Sequence, residues 1–263
     1  MKANRRNFLK VAGISAFALS GGMASLGLAP EESHAQLAAG KYTQGGSSLK
    51  AKRWAMVIDT RLFKGEADYA PLALACKRAH NIPDIPDDKN IKWFWTDTFD
   101  HAFPDEMNAH MSDTVKNGVF PLLCNHCTNP PCVRVCPTQA TYKMEDGIVA
   151  MDYHRCIGCR FCMAGCPYGA RSFNFYDPRK YMPNGITNPR FPTRMIGVVE
   201  KCTFCSERLA AGLMPACVGA SQGKILFGDL EDPNSDVRKA LAANFSIRRK
   251  ASIGTQPGVY YLV

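Results

Sequence analysis

Four closely spaced thiols are the clearest chemical signal in this chain. They lie in the segment Cys-Ile-Gly-Cys-Arg-Phe-Cys-Met-Ala-Gly-Cys-Pro, with two, two and three residues between successive cysteines. This spacing, closed by proline, is typical of a loop that wraps three thiolates around one iron-sulfur cluster and directs the fourth to a different cluster. The run consists of Cys156, Cys159, Cys162 and Cys166, followed by Pro167. A single run therefore predicts a partner run elsewhere in the chain.

The partner run lies upstream and has a longer middle gap, Cys-x-x-Cys-x-x-x-x-Cys-x-x-x-Cys-Pro. Because the fourth cysteine of each run serves the other cluster, we predict crossed ligation. Site A is assigned to Cys124, Cys127, Cys132 and Cys166. Site B is assigned to Cys136, Cys156, Cys159 and Cys162.

A third group of cysteines follows downstream and supplies only three thiols. One further cysteine, in a predicted helix, remains without a group. We assign these residues together as site C, which consists of Cys76, Cys202, Cys205 and Cys217. All twelve cysteines then divide into three sites of four thiols, and we predict three [4Fe-4S] clusters.

Two other uses of cysteine are the alternatives, namely disulfide bonds and zinc. An even cysteine count in an exported chain is typical of disulfides, but adjacent Cys-x-x-Cys pairs are poorly suited to structural disulfides. Paired Cys-x-x-Cys motifs also suit tetrahedral zinc. The four-cysteine run that ends in Cys-Pro favours iron and sulfide over both. A non-redox cysteine-rich zinc or disulfide module stays as the alternative from another class.

The formal net charge is +9, a basic excess that invites a nucleic-acid interpretation. Removal of a leader at residues 1–35 and binding of three anionic clusters would bring the protein close to neutrality. No basic patch interleaved with aromatic residues supports nucleic-acid binding. The histidines show no metal-like spacing. We expect His126 to be a solvated loop residue; a hydrogen bond to a cluster or an approach to a neighbouring haem is the alternative for this residue. We therefore predict no catalytic residues.

The N-terminal segment resembles a twin-arginine export signal. Asn4 to Lys10 contains Arg5 and Arg6, and a weakly apolar run follows from Val11 to Leu28. Ser33-His34-Ala35 offers a cleavage site with small residues. Such export would carry a folded, cluster-loaded protein to the periplasm. An uncleaved membrane anchor is the alternative, because the apolar run is nearly long enough to span a bilayer.

The rest of the chain alternates short strands and helices. Residues 36–50 are predicted as a linker, residues 51–234 as the iron-sulfur domain, and residues 235–263 as a C-terminal helix and tail strand. Strands are predicted at Trp54–Asp59, Ser172–Tyr176, Ile225–Phe227 and Gly258–Leu262. Helices are predicted at Leu72–His80, Ser206–Leu213 and Ser235–Asn244. A β-hairpin is predicted from Thr141 to Met151, and long insertions at 81–120 and 177–193.

The order of the cysteine groups, from about Trp54 to Leu262, resembles the four-cluster iron-sulfur subunits that accompany dimethyl sulfoxide, polysulfide, tetrathionate and related reductases. The resemblance implies an α+β fold built from tandem ferredoxin-like halves with loop insertions. It also implies electron transfer with no substrate chemistry in this subunit. Family members carry a fourth site, at whose expected positions this chain has Glu66, Tyr69, Leu72 and Ser221.

The missing fourth site indicates which partners to expect. By resemblance, it is the one that faces a molybdenum subunit, whereas site B lies nearest a membrane subunit that handles quinone. The chain is thus more similar to the periplasmic iron-sulfur subunits of the transmembrane complex associated with dissimilatory sulfite reduction. This implies two partners in a hetero-oligomeric membrane complex, a polytopic quinone-reactive subunit and a multihaem cytochrome c. A subunit of a molybdopterin oxidoreductase is the alternative.

Overall fold

The structure is a computed structural model that describes residues 47–182 and 188–263. The predicted export signal, its cleavage site and most of the predicted linker lie outside the described residues. Within the described ranges, no helix is long and apolar enough to cross a membrane. The described residues belong to one compact unit, and the predicted boundary at residue 235 stays a prediction.

A four-stranded sheet forms the centre of this unit. Its strands are β1 (Trp54–Asp59), β8 (Ile225–Asp229), β9 (Ser246–Ile247) and β10 (Val259–Leu262), in the spatial order β8-β1-β10-β9. Strand β1 is parallel to β10 and antiparallel to β8. Its residues are apolar on both faces because both faces are covered: Met56 and Ile58 join the main core, and Ala55 and Val57 pack with Val237. The strands predicted at β1, β8 and β10 are confirmed.

Three two-stranded ribbons accompany this sheet. They pair β2 (Phe94–Thr98) with β3 (Val119–Leu123), β4 (Thr141–Lys143) with β5 (Val149–Met151), and β6 (Ser172–Phe173) with β7 (Val199–Glu200). The β4–β5 register, Thr141 opposite Met151, confirms the predicted hairpin. The strand predicted at 172–176 is only two residues long, because the chain bends at Phe175 and Tyr176.

Eight α-helices, most of them short, complete the described part of the chain. They are α1 (Ala70–His80), α2 (Phe99–Ala102), α3 (Asp113–Lys116), α4 (Pro131–Arg134), α5 (Phe161–Ala164), α6 (Ser206–Ala210), α7 (Ala216–Ala220) and α8 (Asp236–Ala243). Short 3-10 helices lie at Thr60–Leu62, Glu66–Tyr69, Pro104–Glu106, Pro178–Tyr181 and Ala251–Ile253. Helix α6 ends before the predicted Leu213, since Gly212 adopts a φ of 77°.

The helices pack in two pairs that correspond to the two ferredoxin-like halves. Helix α4 packs against α5, and α1 packs against α7. Each of these four helices carries a cysteine: Cys132, Cys162, Cys76 and Cys217. Each half therefore brings thiols that are distant in sequence to the same place, within the expected α+β architecture.

Candidate iron-sulfur sites

Site A is a cavity lined by all four of its predicted thiols. Cys124 follows β3, Cys132 lies in α4 and Cys166 follows α5, yet these residues and Cys127 line the same cavity. Cys166 comes from the other cysteine run, as the crossed arrangement requires. Burial, and then the neighbouring thiol of Cys124, raises the pKa of Cys127 to about 12. Four thiolates held together in one cavity require a compensating cation, which the iron of a cluster would supply.

Two buried polar side chains at site A have donors without partners. Asn125 lines the cavity, and neither its Nδ2 nor its Oδ1 has a hydrogen-bond partner among the described residues. Arg171 also lines it, and its Nη2 lacks a partner in the same part of the chain. Native proteins rarely leave buried donors unsatisfied. An iron-sulfur cluster, whose sulfur atoms accept hydrogen bonds, fits this cavity better than a bare zinc ion does.

Site B lies nearest the surface. Cys136, Cys156 and Cys162 belong to one apolar cluster with Val149 and Val199, and Cys132 of site A borders the same cluster. The fourth predicted ligand, Cys159, is exposed. Helices α4 and α5 hold this arrangement together, because Val135 at the end of α4 packs over Gly165 at the end of α5. The structure therefore brings Cys136, from the upstream run, into the same cluster as two thiols of the downstream run.

The site B loop depends on a glycine, which gives a testable prediction. Gly158 has a φ of 70°, and a Cβ there would clash with the carbonyl oxygen of Gly197. We expect Gly158→Ala to lose the site B cluster, measured as iron per chain and by electron paramagnetic resonance. Gly169→Ala is the matched control, since Gly169 also has a positive φ of 64° but nothing within 4 Å of the added Cβ. The control should lose only about 1–2 kcal/mol of the free energy of unfolding and keep its iron. Equal iron loss in both variants would show that the close approach of Gly158 to Gly197 does not explain the effect.

Site C joins α1 to the third cysteine group. Cys76 on α1 interacts with all three predicted partners, and burial followed by those thiols raises its pKa well above the usual value. Two backbone amides already donate to sulfur: Phe204 N to Cys202 Sγ and Ala216 N to Cys205 Sγ, both at 3.4 Å. Amide donors aimed at cysteine sulfur are typical of iron-sulfur sites, where they tune the potential. The residues at site C therefore fit a cluster.

A histidine and a glutamate border site C, and sequence spacing gave no signal for them. His80 Nδ1 donates to the carbonyl oxygen of Cys76 at 2.9 Å, one helical turn away. Its Nε2 lies 3.0 Å from Glu207 Oε1. His80, Cys205 and Glu207 also offer three possible metal ligands within 4.8 Å of one another. Because Cys205 already belongs to site C, this trio is the border of site C rather than a separate metal site.

His126 corrects a prediction from the sequence. It was expected to be a solvated loop residue, but it is 3% exposed and stacks on Phe204 with ring centroids 3.7 Å apart. The backbone N–H of Val149 donates to its Nδ1 at 3.1 Å. Burial, and then the charge of Lys201, lowers the pKa of His126 well below its usual value. The ring is therefore neutral and packs between sites A and C.

The comparisons with known proteins agree with this chemistry. A family model described as a 4Fe-4S dicluster domain matches residues 115–178, which contain the two four-cysteine runs. The chain is 40% identical over 232 residues to the Hdr-like menaquinol oxidoreductase iron-sulfur subunit 1 of Archaeoglobus fulgidus, covering 80% of this chain and 83% of that protein. It is 40% identical over 198 residues to a putative dimethyl sulfoxide reductase iron-sulfur subunit of Halobacterium salinarum, covering 72% of each. It is 34% identical over 215 residues to a polysulfide reductase chain of Wolinella succinogenes, covering 80% of this chain and 94% of that protein.

Fold, thiol geometry and similarity together define a ferredoxin-like protein that binds 4Fe-4S clusters and carries electrons without a substrate reaction of its own. More specifically, the chain belongs to the family of iron-sulfur subunits of the dimethyl sulfoxide and polysulfide reductases.

Proposed function

We propose that this protein holds three [4Fe-4S] clusters, at sites A, B and C, and passes electrons along them between two partner subunits. The observation that carries this proposal is the order of the sites. Cys132 of site A borders the same apolar cluster as Cys162 of site B, and Cys124 of site A belongs to the same core cluster as Cys202 of site C. Each bound cluster would supply a one-electron carrier. Site A is thus the middle of a chain with sites B and C as its ends.

The residues at the expected fourth site support three clusters rather than four. Tyr69 and Leu72 are buried in the core, and Glu66 accepts a hydrogen bond from Thr96 Oγ1 at 3.0 Å. Ser221 is also buried, where its hydroxyl donates to Val218 O at 2.7 Å and accepts from Ile225 N at 3.1 Å. These side chains pack and hydrogen-bond within the protein and supply no thiolate, which supports three clusters rather than four.

We propose that site B is the end that faces a membrane subunit that reacts with quinone. The loop that carries the exposed Cys159 lies close to the segments 173–175 and 195–197, because Arg160 packs over the Phe175 ring and Gly158 closely approaches Gly197. The exposed apolar side chains of these three segments are called the apolar rim: Ile157, Phe161, Phe175, Met195 and Ile196. Ile157 is 68% exposed. A cluster of large apolar side chains on a surface is typical of a protein contact. The name of the Archaeoglobus relative, a menaquinol oxidoreductase subunit, supports quinone chemistry in the same complex.

We propose that site C faces a periplasmic redox partner, a multihaem cytochrome c, in a respiratory complex of dissimilatory sulfur metabolism. Leu213 and Met214, between α6 and α7, are 50% and 44% exposed beside the ligands of site C. Since the site that would meet a molybdenum subunit is filled by protein side chains, a haem partner fits this end better. The twin-arginine pattern at Arg5 and Arg6 supports export of the loaded protein to the periplasm.

Site-specific cross-linking in the native complex tests both ends. A photo-reactive residue at Leu213 should capture a polypeptide that stains for c-type haem, and one at Ile157 should capture a polytopic membrane protein. Tyr142, exposed on the β4–β5 hairpin, is the control position and should capture neither. A pterin-containing subunit captured from Leu213 would replace this proposal with the molybdopterin oxidoreductase alternative. If the purified protein contains zinc, or disulfides without iron, the zinc or disulfide module would replace both of these electron-transfer proposals.

A further inference from the structure

Arg171 is a buried cation in the gap between sites A and B. Only 5% of it is exposed. Its Nη1 donates to Thr141 Oγ1 at 3.1 Å and approaches Met151 Sδ at 3.6 Å, while its Nη2 has no partner among the described residues. The guanidinium lines the cavity of site A and also lies beside Cys162 of site B. No carboxylate within the described ranges pairs with it.

Lys201 occupies the equivalent place between sites A and C. It is fully buried, and its Nζ donates to the carbonyl oxygens of Val149 and Cys202, the latter at 2.7 Å. Val149 lines the cavity of site A, and Cys202 is a predicted ligand of site C. In the part of the chain that the structure describes, Lys201 likewise has no carboxylate partner. Each gap between neighbouring sites therefore contains one buried cation.

The other buried cations show what is unusual about these two. Arg194 is also fully buried, but its Nε lies 2.7 Å from Glu200 Oε2. Arg249 donates to the carbonyl oxygens of Ala102 and Tyr168 and packs over the ring of Tyr168, which lines site A. A buried charge is strongly unfavourable unless an opposite charge compensates it. In the described part of the chain neither Arg171 nor Lys201 is paired with a carboxylate, and cysteines of the three sites lie beside both cations.

We propose that Arg171 and Lys201 are the fixed countercharges of the cluster chain and set its relative potentials. Arg171 raises the reduction potentials of sites A and B, Lys201 raises those of sites A and C, and site A gains from both. Reduction of a cluster adds one negative charge, and a nearby cation in a poorly polarisable interior favours the reduced form. The middle site thereby retains electrons more readily than it would without the two cations. This inference rests on the three-cluster function proposed above.

The test is an anaerobic redox titration followed by electron paramagnetic resonance on wild type, Arg171→Met and Lys201→Met. Each variant should lower two of the three potentials, by about a tenfold change in the one-electron reduction equilibrium, or about 59 mV. One potential should fall in both variants, one only in Arg171→Met and one only in Lys201→Met. This pattern needs no prior assignment of signals to sites. Arg171→Lys and Lys201→Arg keep the charge and should stay near wild type, while Arg249→Met should move only the potential that falls in both variants.

Iron content separates the failure of this inference from the failure of the proposed function. A wild type without three clusters would overturn the proposed function first, and with it the assignment used here. Three clusters in every variant, with potentials unshifted or shifted equally, would overturn the inference alone. If the methionine variants lose iron, Arg171→Gln and Lys201→Gln replace them, and unshifted potentials in these would also overturn it. If every neutral variant loses iron, the charge-keeping variants decide. Three bound clusters in Arg171→Lys and Lys201→Arg would support the countercharge role, whereas loss of iron from these variants too would show that the two side chains act through packing.

Discussion

Removal of the Cys136 thiol should destroy the cluster of the other cysteine run, not the cluster of its own. In the structure, Cys136 shares an apolar cluster with Cys156 and Cys162, whereas Cys166, but not Cys136, lines the cavity of Cys124 and Cys127. We therefore expect Cys136→Ala to lose or degrade the site B cluster, leaving about 8 of about 12 iron atoms per chain. Cys166→Ala should reach a similar iron content through loss of the site A cluster.

Double variants test this crossing without spectral assignment. Cys136→Ala combined with Cys156→Ala removes two ligands of the same site, so iron should stay at about 8 per chain. Cys136→Ala combined with Cys124→Ala affects two sites, and iron should fall to about 4. The measurement is iron and sulfide per chain on monodisperse, anaerobically purified protein. The reverse pattern, about 4 for the first pair and about 8 for the second, would show that each run ligates its own cluster.

The second large effect is expected at the buried ion pair that precedes the third cysteine group. Arg194 and Glu200 are both fully buried, and Glu200 also accepts from Trp93 Nε1 at 3.0 Å and Asn174 Nδ2 at 2.5 Å. Glu200→Gln keeps the shape but leaves the Arg194 charge without a counterion. Removing the charge of one partner of such a buried pair lowers the free energy of unfolding by about 3–5 kcal/mol.

The measure is the guanidinium midpoint at which the visible absorption of the clusters is lost, under identical anaerobic conditions. Lys77→Met is the matched control, because the Lys77–Asp84 pair is as short, at 2.6 Å, but partly exposed. Exposed pairs contribute about 0–1 kcal/mol, so this midpoint should scarcely move. Equal shifts in the two variants would mean that burial does not decide the contribution of the Arg194–Glu200 pair.

The grouping of thiols was accessible from the sequence because it depends on local spacing. Within each cysteine run, three thiols are separated by only a few residues, and the crossing of the fourth follows from a short loop that leads into a helix. The predicted β4–β5 hairpin was accessible for the same reason, since Gly147 lies between two short segments. Cys76 was placed only by elimination, and the structure brings it to site C through the packing of α1 on α7.

Contacts that arise from tertiary packing could not be predicted from the sequence. Asn125 and Arg171 line the cavity of site A from separate segments, and neither has a spacing motif. His126 was wrongly expected in solvent, because Phe204 and the amide of Val149, both distant in sequence, cover it. Strand β2 and the start of β3 lay within the insertion predicted at 81–120, and the rest of β3 was not predicted as a strand, partly because Pro121 weakens the strand signal.

Chemical analysis of iron and acid-labile sulfide in the anaerobically reconstituted wild-type protein tests the central claim most directly. Three complete four-thiol sites predict about 12 iron and about 12 sulfide per chain. A Ser221→Cys variant should give the same values, because Glu66, Tyr69 and Leu72 still supply no thiolates at the fourth site. About 16 iron atoms per chain in the wild type, or zinc in place of iron, would contradict the three-cluster electron-transfer account.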